Sequence, residues 1–202
     1  MNTFGMLTGA AIKEAVQNRE IDIFPFSEDQ LNPNSYNLRL HPQLKVYREV
    51  TDYEGFDNKL VPFNDIPEGY YLDSKNENPT DEIIIPEEGL ILMPNILYIG
   101  RTVEVTGTEK YIPMLNGRSS GGRLGMNIHI CAGFGDIGFS GTWTLEITVV
   151  HPLKVYPNME VAQVSFFTPA GDIEDLYRGK YYKQIDATES RMHRDFLTTK
   201  EE

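Results

Sequence analysis

A glutamate within a strand-like stretch is the residue of this sequence best suited to catalysis. Between residues 142 and 149 apolar and polar side chains alternate, and Glu146 shares the polar face with Thr144. A carboxylate in mid-strand is disfavoured by strand propensity and by the cost of desolvation. It indicates either a structural ion pair or, in a cleft, a general acid/base whose pKa is raised by burial.

A second group of candidates lies in the sequence GRSSGGRLG at 117–125, here called the arginine–serine segment. Arg118 and Arg123 offer guanidinium groups, Ser119 and Ser120 offer hydroxyls, and the glycines let backbone N–H groups approach a phosphate. The spacing does not fit G-x-x-x-x-G-K-[ST], which excludes P-loop chemistry. The pattern is typical of either an exposed glycine-rich loop or an anion-binding cradle.

The Gly-rich turn at 133–138 adds a second carboxylate, Asp136, which suits either a sugar hydroxyl or a structural arginine. Cys131 is the single cysteine, and we expect a buried, inert thiol on a strand, because the sequence places no histidine beside it. The four histidines lack metal-ligand spacing, and the H-x-E and P-C-x-x-C pair of zinc deaminases is absent. The sequence therefore predicts no zinc site.

Short strands must position these residues. Residues 8–19 predict a short helix with Thr8 as N-cap. Beyond it, short apolar runs recur between Gly, Pro and Asn, which predicts a mainly β domain of sandwich, jelly-roll or small-barrel type over 1–174. The predicted strands include 20–24, 36–40, 44–47, 83–85, 90–93, 97–101, 103–106, 112–115, 142–149, 154–156 and 161–167.

Two segments differ from this pattern. Residues 52–82 hold nine acidic residues against two lysines, and indicate either a solvated excursion, with a hairpin through 70–72, or an acidic interaction surface. The tail, 175–202, loses strand periodicity and contains the polar, basic stretch 177–184, which favours either a frayed terminus or a segment that closes over a ligand.

Composition limits the partners. A net charge of −12 disfavours a nucleic-acid polyanion but permits a small phosphorylated ligand held by local arginines. One cysteine excludes an internal disulfide and fits a reducing cytosol. No signal peptide or membrane span is visible, so we expect a cytoplasmic protein without a membrane partner.

The ordered set of these motifs resembles the dCTP deaminases, relatives of the trimeric dUTPases, over nearly the whole chain. The resemblance is carried by Asn32-Pro-Asn-Ser-Tyr-Asn-Leu-Arg-Leu40, the arginine–serine segment, Ala132-Gly-Phe-Gly-Asp136, Thr144-Leu-Glu146, Gln163 and Tyr177 to Gln184. The Leu145-Glu146 pair separates the deaminases from plain dUTPases. The resemblance implies a distorted β-barrel or jelly-roll-like, dUTPase-type core in a homotrimer with active sites at subunit interfaces.

The resemblance also implies roles for individual residues. Glu146 is expected to be the general base that activates water at cytosine C4, oriented by Arg123, while Ser119 and the backbone near Ala132 hold the water and the base edge. Phosphates are expected on Arg118, Ser119, Ser120, Lys180 and Gln184, with Tyr177 nearby and the deoxyribose on Asp136; Thr144 and Gln163 complete the substrate-binding set. Magnesium is expected on the triphosphate rather than in a protein cage.

The family has two branches, one that releases dUTP and one that also cleaves it to dUMP and diphosphate. The residues around Asp136 and Trp143 resemble those of the dUMP-forming branch. The expected partners are dCTP and dUTP, with dTTP as an inhibitor. The alternatives are a dUTPase without deaminase activity and a non-catalytic nucleotide-binding trimer. The sequence departs from the family at Cys131, where Thr is usual, and at Asn37, where Asp is common.

Overall fold

A computed structural model describes residues 5–48, 71–131 and 133–197, and its mainly β architecture confirms the predicted fold class. The elements, in chain order, are α1 Gly9–Gln17, β1 Asp22–Phe24, a 3-10 turn Glu28–Gln30, β2 Tyr36–Arg39, β3 Gln43–Tyr47, β4 Thr80–Ile84, β5 Leu90–Leu92, β6 Tyr98–Gly107, β7 Ile112–Gly117, α2 Ser119–Arg123, β8 Met126–Asn127, β9 Ser140–Val149, β10 Leu153–Val155, β11 Glu160–Phe167 and α3 Arg194–Leu197.

Three antiparallel sheets enclose the core. The largest has the order β4-β3-β6-β9-β8 with β1 also paired to β6, the second has the order β2-β11-β7, and β10 pairs with β5. Side chains such as Leu38, Leu145 and Phe166 are fully buried between them. Antiparallel strands with one face on the core and one available to other contacts explain the alternating pattern of the sequence.

The predicted N-terminal helix is confirmed as α1. The Thr8 hydroxyl accepts a hydrogen bond from the Ala11 N–H at 3.3 Å, as an N-cap does, and Ile12 and Ala15 are buried. A Cβ on Gly9 would lie 2.2 Å from the Asn32 carbonyl oxygen, so only glycine lets the helix start pack directly on the Asn-Pro turn.

The prediction of two short strands at 97–101 and 103–106 was wrong, because both belong to the single strand β6. Its register against β9 shifts between Arg101 and Val105. There the Thr102 hydroxyl donates to the Glu104 carbonyl at 2.7 Å and accepts from the Trp143 N–H at 3.0 Å. A side chain thus replaces a ladder partner, and the strand continues through a bulge.

The carboxylate of Glu104 lies at this bulge and is fully buried. It accepts hydrogen bonds from the backbone N–H of Arg39 at 2.8 Å, from Arg39 Nε at 2.6 Å and from Gln30 Nε2 at 2.9 Å. A buried charge paired in this way fixes β2 against β6. Removal of one partner alone is expected to cost about 3–5 kcal/mol of stability.

The alternation predicted for β9 is confirmed with one exception. Trp143, Leu145, Ile147 and Val149 are buried, whereas Thr144, Glu146 and Thr148 are half-buried. Thr142 is only 1% exposed, because the tail covers it. Its N–H donates to the Gln184 carbonyl at 2.9 Å, and the Lys183 N–H donates to the Ser140 carbonyl at 2.8 Å.

The described part of the tail therefore packs on the large sheet, and the frayed-terminus alternative does not hold for it. Ala187 is fully buried there. The acidic excursion is described only from residue 71 onward; the predicted hairpin through 70–72 lies partly outside the described residues, and none of 71–79 belongs to a strand. Among the described helices, none is long and apolar enough to cross a bilayer.

Candidate active site

The half-buried face of β9 forms one wall of a cavity of about 590 Å³. Thr144 and Glu146 line it from β9, and Tyr47 and Ile99 line it from β3 and β6. The opposite walls are the described residues between 130 and 136, with residue 132 left out, and the described part of the tail. The lining residues from these two segments are Ile130, Cys131, Phe134, Gly135, Asp136, Tyr177, Tyr181, Gln184, Thr188, Glu189, Ser190 and Met192.

The two carboxylate oxygens of Glu146 have different surroundings. Oε2 accepts hydrogen bonds from the Ile130 N–H at 2.7 Å and from the Cys131 N–H at 3.3 Å. Among the described residues, only the Cys131 sulfur lies near Oε1, at 4.0 Å. None of these residues forms an ion pair with Glu146, so this part of the chain gives no support to the structural salt-bridge alternative. The backbone fixes the carboxylate and leaves one oxygen free to take a proton.

The prediction of a buried Cys131 on a strand was wrong. The residue follows β8, outside any strand, and its thiol is exposed in the cavity wall beside Glu146. Partial desolvation, and then the negative charge of Glu146, raise the pKa of the Cys131 thiol. The thiol is therefore held in its neutral form, as a weak donor next to the proposed base.

Close packing determines the position of the turn that carries Asp136. A Cβ on Gly135 would lie 2.4 Å from Cη2 of Trp143 and 2.9 Å from Cγ of Pro113. The Trp143 ring is itself fixed, since its Nε1 donates to the Thr106 hydroxyl at 2.8 Å. Asp136 is exposed and lines the cavity, and no described arginine pairs with it. Ala132 lies outside the described residues.

Three predicted residues of the tail lie in different settings. Tyr177 lines the cavity and packs at 6.2 Å, between ring centroids, from Phe139. Gln184 also lines it, but its Nε2 donates to the Thr142 carbonyl and to the Thr144 hydroxyl, both at 3.0 Å. Lys180 does not line the cavity and forms an ion pair with Asp195.

The arginine–serine segment is separate from this cavity. It leaves β7 and forms α2, so the predicted loop is one short helix. Ser119, Ser120 and Arg123 are exposed, and Arg123 has no hydrogen-bond or ion-pair partner in the described part of the chain. None of the segment's residues lines the cavity.

Arg118 and Gln163 connect this segment to the second sheet. Arg118 pairs with Glu160, whose carboxylate also accepts from the Asn37 amide at 3.0 Å. Gln163 accepts from the Ser35 hydroxyl at 2.9 Å. The predicted residues thus form two clusters in one chain: Thr144, Glu146, Asp136, Tyr177 and Gln184 at the cavity, and Arg118, Ser119, Ser120, Arg123 and Gln163 outside it.

Sequence reasoning missed Tyr47 and Glu189 as cavity residues. The Tyr47 hydroxyl accepts from the Ser190 N–H at 3.2 Å, and Lys45 Nζ lies 2.6 Å from a carboxylate oxygen of Glu189. These contacts join β3 to the tail across more than 140 positions. No local pattern reveals such a pairing.

Comparisons with known proteins show the family of this chain. Residues 6–168 match the profile of the dCTP deaminase-like family, and the chain belongs to that family. A protein of Hathewaya histolytica named "dCTP deaminase, dUMP-forming" is 49% identical over 191 residues, covering 95% of this chain and 99% of the relative. A relative of the same name from Clostridium beijerinckii is 50% identical over 186 residues, covering 91% and 96%.

A solved structure also resembles the chain. It is the crystal structure of 2'-deoxycytidine 5'-triphosphate deaminase from Agrobacterium tumefaciens, with a TM-score of 0.59 and 20% identity. The alignment covers 83% of this chain and 49% of that chain, about half its length. At this identity the likeness concerns the fold alone.

Proposed function

We propose that this protein hydrolyses dCTP to dUTP and ammonia and then cleaves dUTP to dUMP and diphosphate, with a water molecule consumed in each step. The observation that carries the proposal is the carboxylate of Glu146 in a cavity large enough for a nucleotide base and sugar: Oε2 is anchored by two backbone N–H groups, and Oε1 has the Cys131 thiol 4.0 Å away as its one neighbour among the described residues. The names of relatives near 50% identity support both the substrate and the dUMP-forming branch.

In this mechanism Oε1 of Glu146 takes a proton from a water molecule as the oxygen attacks C4 of cytosine. The same proton then goes to the departing amino group, which leaves as ammonia. The N–H groups of Ile130 and Cys131 keep the carboxylate oriented throughout, so little reorganisation is needed at the moment of attack. Asp136, an exposed carboxylate in the cavity wall, would accept a hydrogen bond from a deoxyribose hydroxyl.

The triphosphate needs cations, and the described residues that line the cavity include no lysine or arginine. We assign this role to Arg118, Ser119, Ser120 and Arg123 of a second copy, in a homotrimer with sites between subunits. Two exposed apolar residues support an interface there, since Leu124 in this segment is 58% exposed and Val150, whose N–H donates to the Gly125 carbonyl, is 66% exposed. Arg123 of that copy would balance the charge of Glu146, and Ser119 would hold the water.

Two tail residues receive adjusted roles. The Gln184 amide nitrogen is engaged by β9, so Gln184 is better suited to hold the tail in place than to bind phosphate. Lys180 would bind phosphate once Asp195 is displaced from it. Mg²⁺ would be carried by the phosphates, as is usual for this ion, and no group of three acidic, His or Cys residues in the described chain could form a cage.

Chromatography of the products of dCTP with Mg²⁺ tests the proposal. We expect dUMP, diphosphate and ammonia. Release of dUTP alone would place the protein in the other branch. Cleavage of dUTP without attack on dCTP would identify a dUTPase, and a nucleotide-dependent rise in Tm without turnover would identify a binding protein.

A further inference from the structure

The tail lines one side of the cavity, and the last described residues of the tail contact the end of the acidic segment. The relevant contacts join residues 193–197 to the turn at 73–78. His193 Nε2 lies 3.2 Å from the Glu77 carboxylate, and Lys75 Nζ lies 5.5 Å from the centre of the Phe196 ring. On the other face of α3, Asp195 pairs with Lys180 of the same tail.

The turn at 73–78, which makes these contacts, is held together by its own hydrogen bonds. The Asp73 carboxylate accepts from the Lys75 N–H at 2.9 Å and from the Asn76 side-chain amide at 2.8 Å. The Asn78 side chain bonds in both directions with the Asp73 backbone, at 2.9 Å each. These hydrogen bonds within the turn stabilise the backbone that carries Lys75 and Glu77.

Residues 188–192, which directly precede residues 193–197 in the tail, include several that line the cavity. Ser190 and Met192 are in its wall, and the Ser190 N–H donates to the Tyr47 hydroxyl. The Arg191 N–H donates to the Tyr181 hydroxyl at 3.0 Å, so residues near 191 are held against residues near 181 of the same tail. If residues 193–197 leave the turn, the wall formed by 188–192 loses its support on that side.

We propose that the 73–78 turn and residues 193–197 form a clasp that holds the tail closed over the cavity and so raises the affinity for nucleotide. The tail forms one wall of the cavity, so its position determines the contacts that a bound nucleotide can make. The clasp contacts can open, since the Glu77 side chain is 82% exposed and contacts of an exposed carboxylate are weak. The link to nucleotide affinity rests on the function proposed above, whereas the clasp itself does not.

The test compares two double variants of the full chain. Glu77→Gln with Phe196→Ala removes one partner from each clasp contact, and neither residue lines the cavity. Glu87→Gln with Ile91→Ala is the matched control, because Glu87 is exposed, Ile91 is 55% exposed, and both lie outside the clasp and the cavity wall. Neither pair changes a trypsin site. Unchanged Tm values would show that both variants keep the folded body.

The first measurement is limited trypsin cleavage of the tail at Lys180 and Lys183 without nucleotide. Cleavage of a transiently opened segment follows the population of the open form, so we expect it to be about 5–10-fold faster in the clasp variant and unchanged in the control. Equal rates in clasp variant and wild type would overturn the proposal.

The second measurement is steady-state kinetics with dCTP and Mg²⁺. We expect KM to rise about fivefold with kcat within about twofold, because the catalytic groups are untouched and only the closed population falls. Faster cleavage with an unchanged KM would refute the link between clasp and nucleotide. A wild type without dCTP turnover would contradict the proposed function instead, and the cleavage rates alone would then decide the clasp.

Discussion

Glu146 and Cys131 form a carboxylate–thiol pair whose two members affect each other. The backbone N–H of Cys131 holds one oxygen of Glu146, and its sulfur lies near the other. A negative carboxylate disfavours a second negative charge close by, which is one reason that the pKa of the thiol is raised. The lone cysteine is thus a reporter of the charge on Glu146.

Replacement of Glu146 by Gln tests the proposed base. The amide oxygen of Gln can still accept from the Ile130 N–H, but the side chain no longer takes a proton. We expect kcat for deamination to fall about 10³-fold or more, with dCTP binding largely kept. Ammonia release measures the first effect, and the rise in Tm with dCTP and Mg²⁺ measures the second.

Glu88→Gln is the control for this change, because Glu88 is an exposed carboxylate in a turn away from the cavity. It should behave as the wild type. A Glu146→Gln protein with normal deamination would remove Glu146 from its proposed role.

The raised pKa of the Cys131 thiol predicts how its alkylation by iodoacetamide depends on pH. Only the thiolate reacts, so the rate should increase with pH through a pKa above the ordinary thiol value, and should be slow at neutral pH. In Glu146→Gln the desolvation that raises the pKa of the thiol remains, but the negative charge that raises it further is gone, so alkylation at pH 8 should be faster. Mass spectrometry of the modified chain gives the rate.

Bound dCTP should protect the thiol in the same experiment, since Cys131 lines the proposed nucleotide cavity. An alkylation rate that is equal in both proteins would mean that the carboxylate at 146 does not influence the thiol.

At the level of elements, the turn at 130–136 depends on the strand behind it. Gly135 lies against Trp143 and Pro113, and the hydrogen bond from Trp143 to Thr106 prevents the indole from moving away. Tight packing of this kind transmits a small change in the turn to the position of Asp136.

Gly135→Ala is therefore expected to be damaging. Overpacking of about 1–3 kcal/mol should lower Tm by about 3–10 °C, and the displaced turn should lower kcat/KM for dCTP about tenfold. Calorimetry and steady-state kinetics measure these effects. Gly122→Ala is the stability control, since nothing lies within 4 Å of its added Cβ, and its Tm should not fall.

The sequence predicted elements well where one local rule determined them. Alternation fixed the faces of β9, a threonine cap fixed the start of α1, and breakers separated most strands. It failed at β6, where the hydroxyl of Thr102 carries the strand through a bulge, and at Cys131, whose exposure depends on a turn that periodicity does not predict. The positions of the tail and of Tyr47 depend on contacts between distant residues, which no local pattern contains.

At the level of the whole molecule, the predicted site residues are divided between two surfaces of one chain. Glu146 faces the cavity, whereas Arg123 is exposed on α2 and does not line that cavity. In the proposed trimer, one copy supplies the general base Glu146 to each site, and the next copy supplies the residues that bind the phosphates. Three copies of the 23.0 kDa chain should elute near 69 kDa on a calibrated column.

Mixing two inactive variants tests the shared site. Glu146→Gln and Arg123→Ala should each be inactive alone, but after equal mixing, unfolding and reassembly about a quarter of the sites combine two intact residues. Activity should therefore recover to about a quarter of the wild-type value. A mixture as inactive as its parents would show that both residues serve the same copy's site.

The distance of Arg123 from the cavity of its own chain has a consequence for the monomer. Under the proposed arrangement, a newly synthesised monomer would have the carboxylate of Glu146 but no phosphate-binding residues beside it, and so could not hydrolyse dCTP on its own. Under the proposed arrangement, turnover per copy would decline on dilution as the assembly separates, and abundance itself would set when the reaction begins.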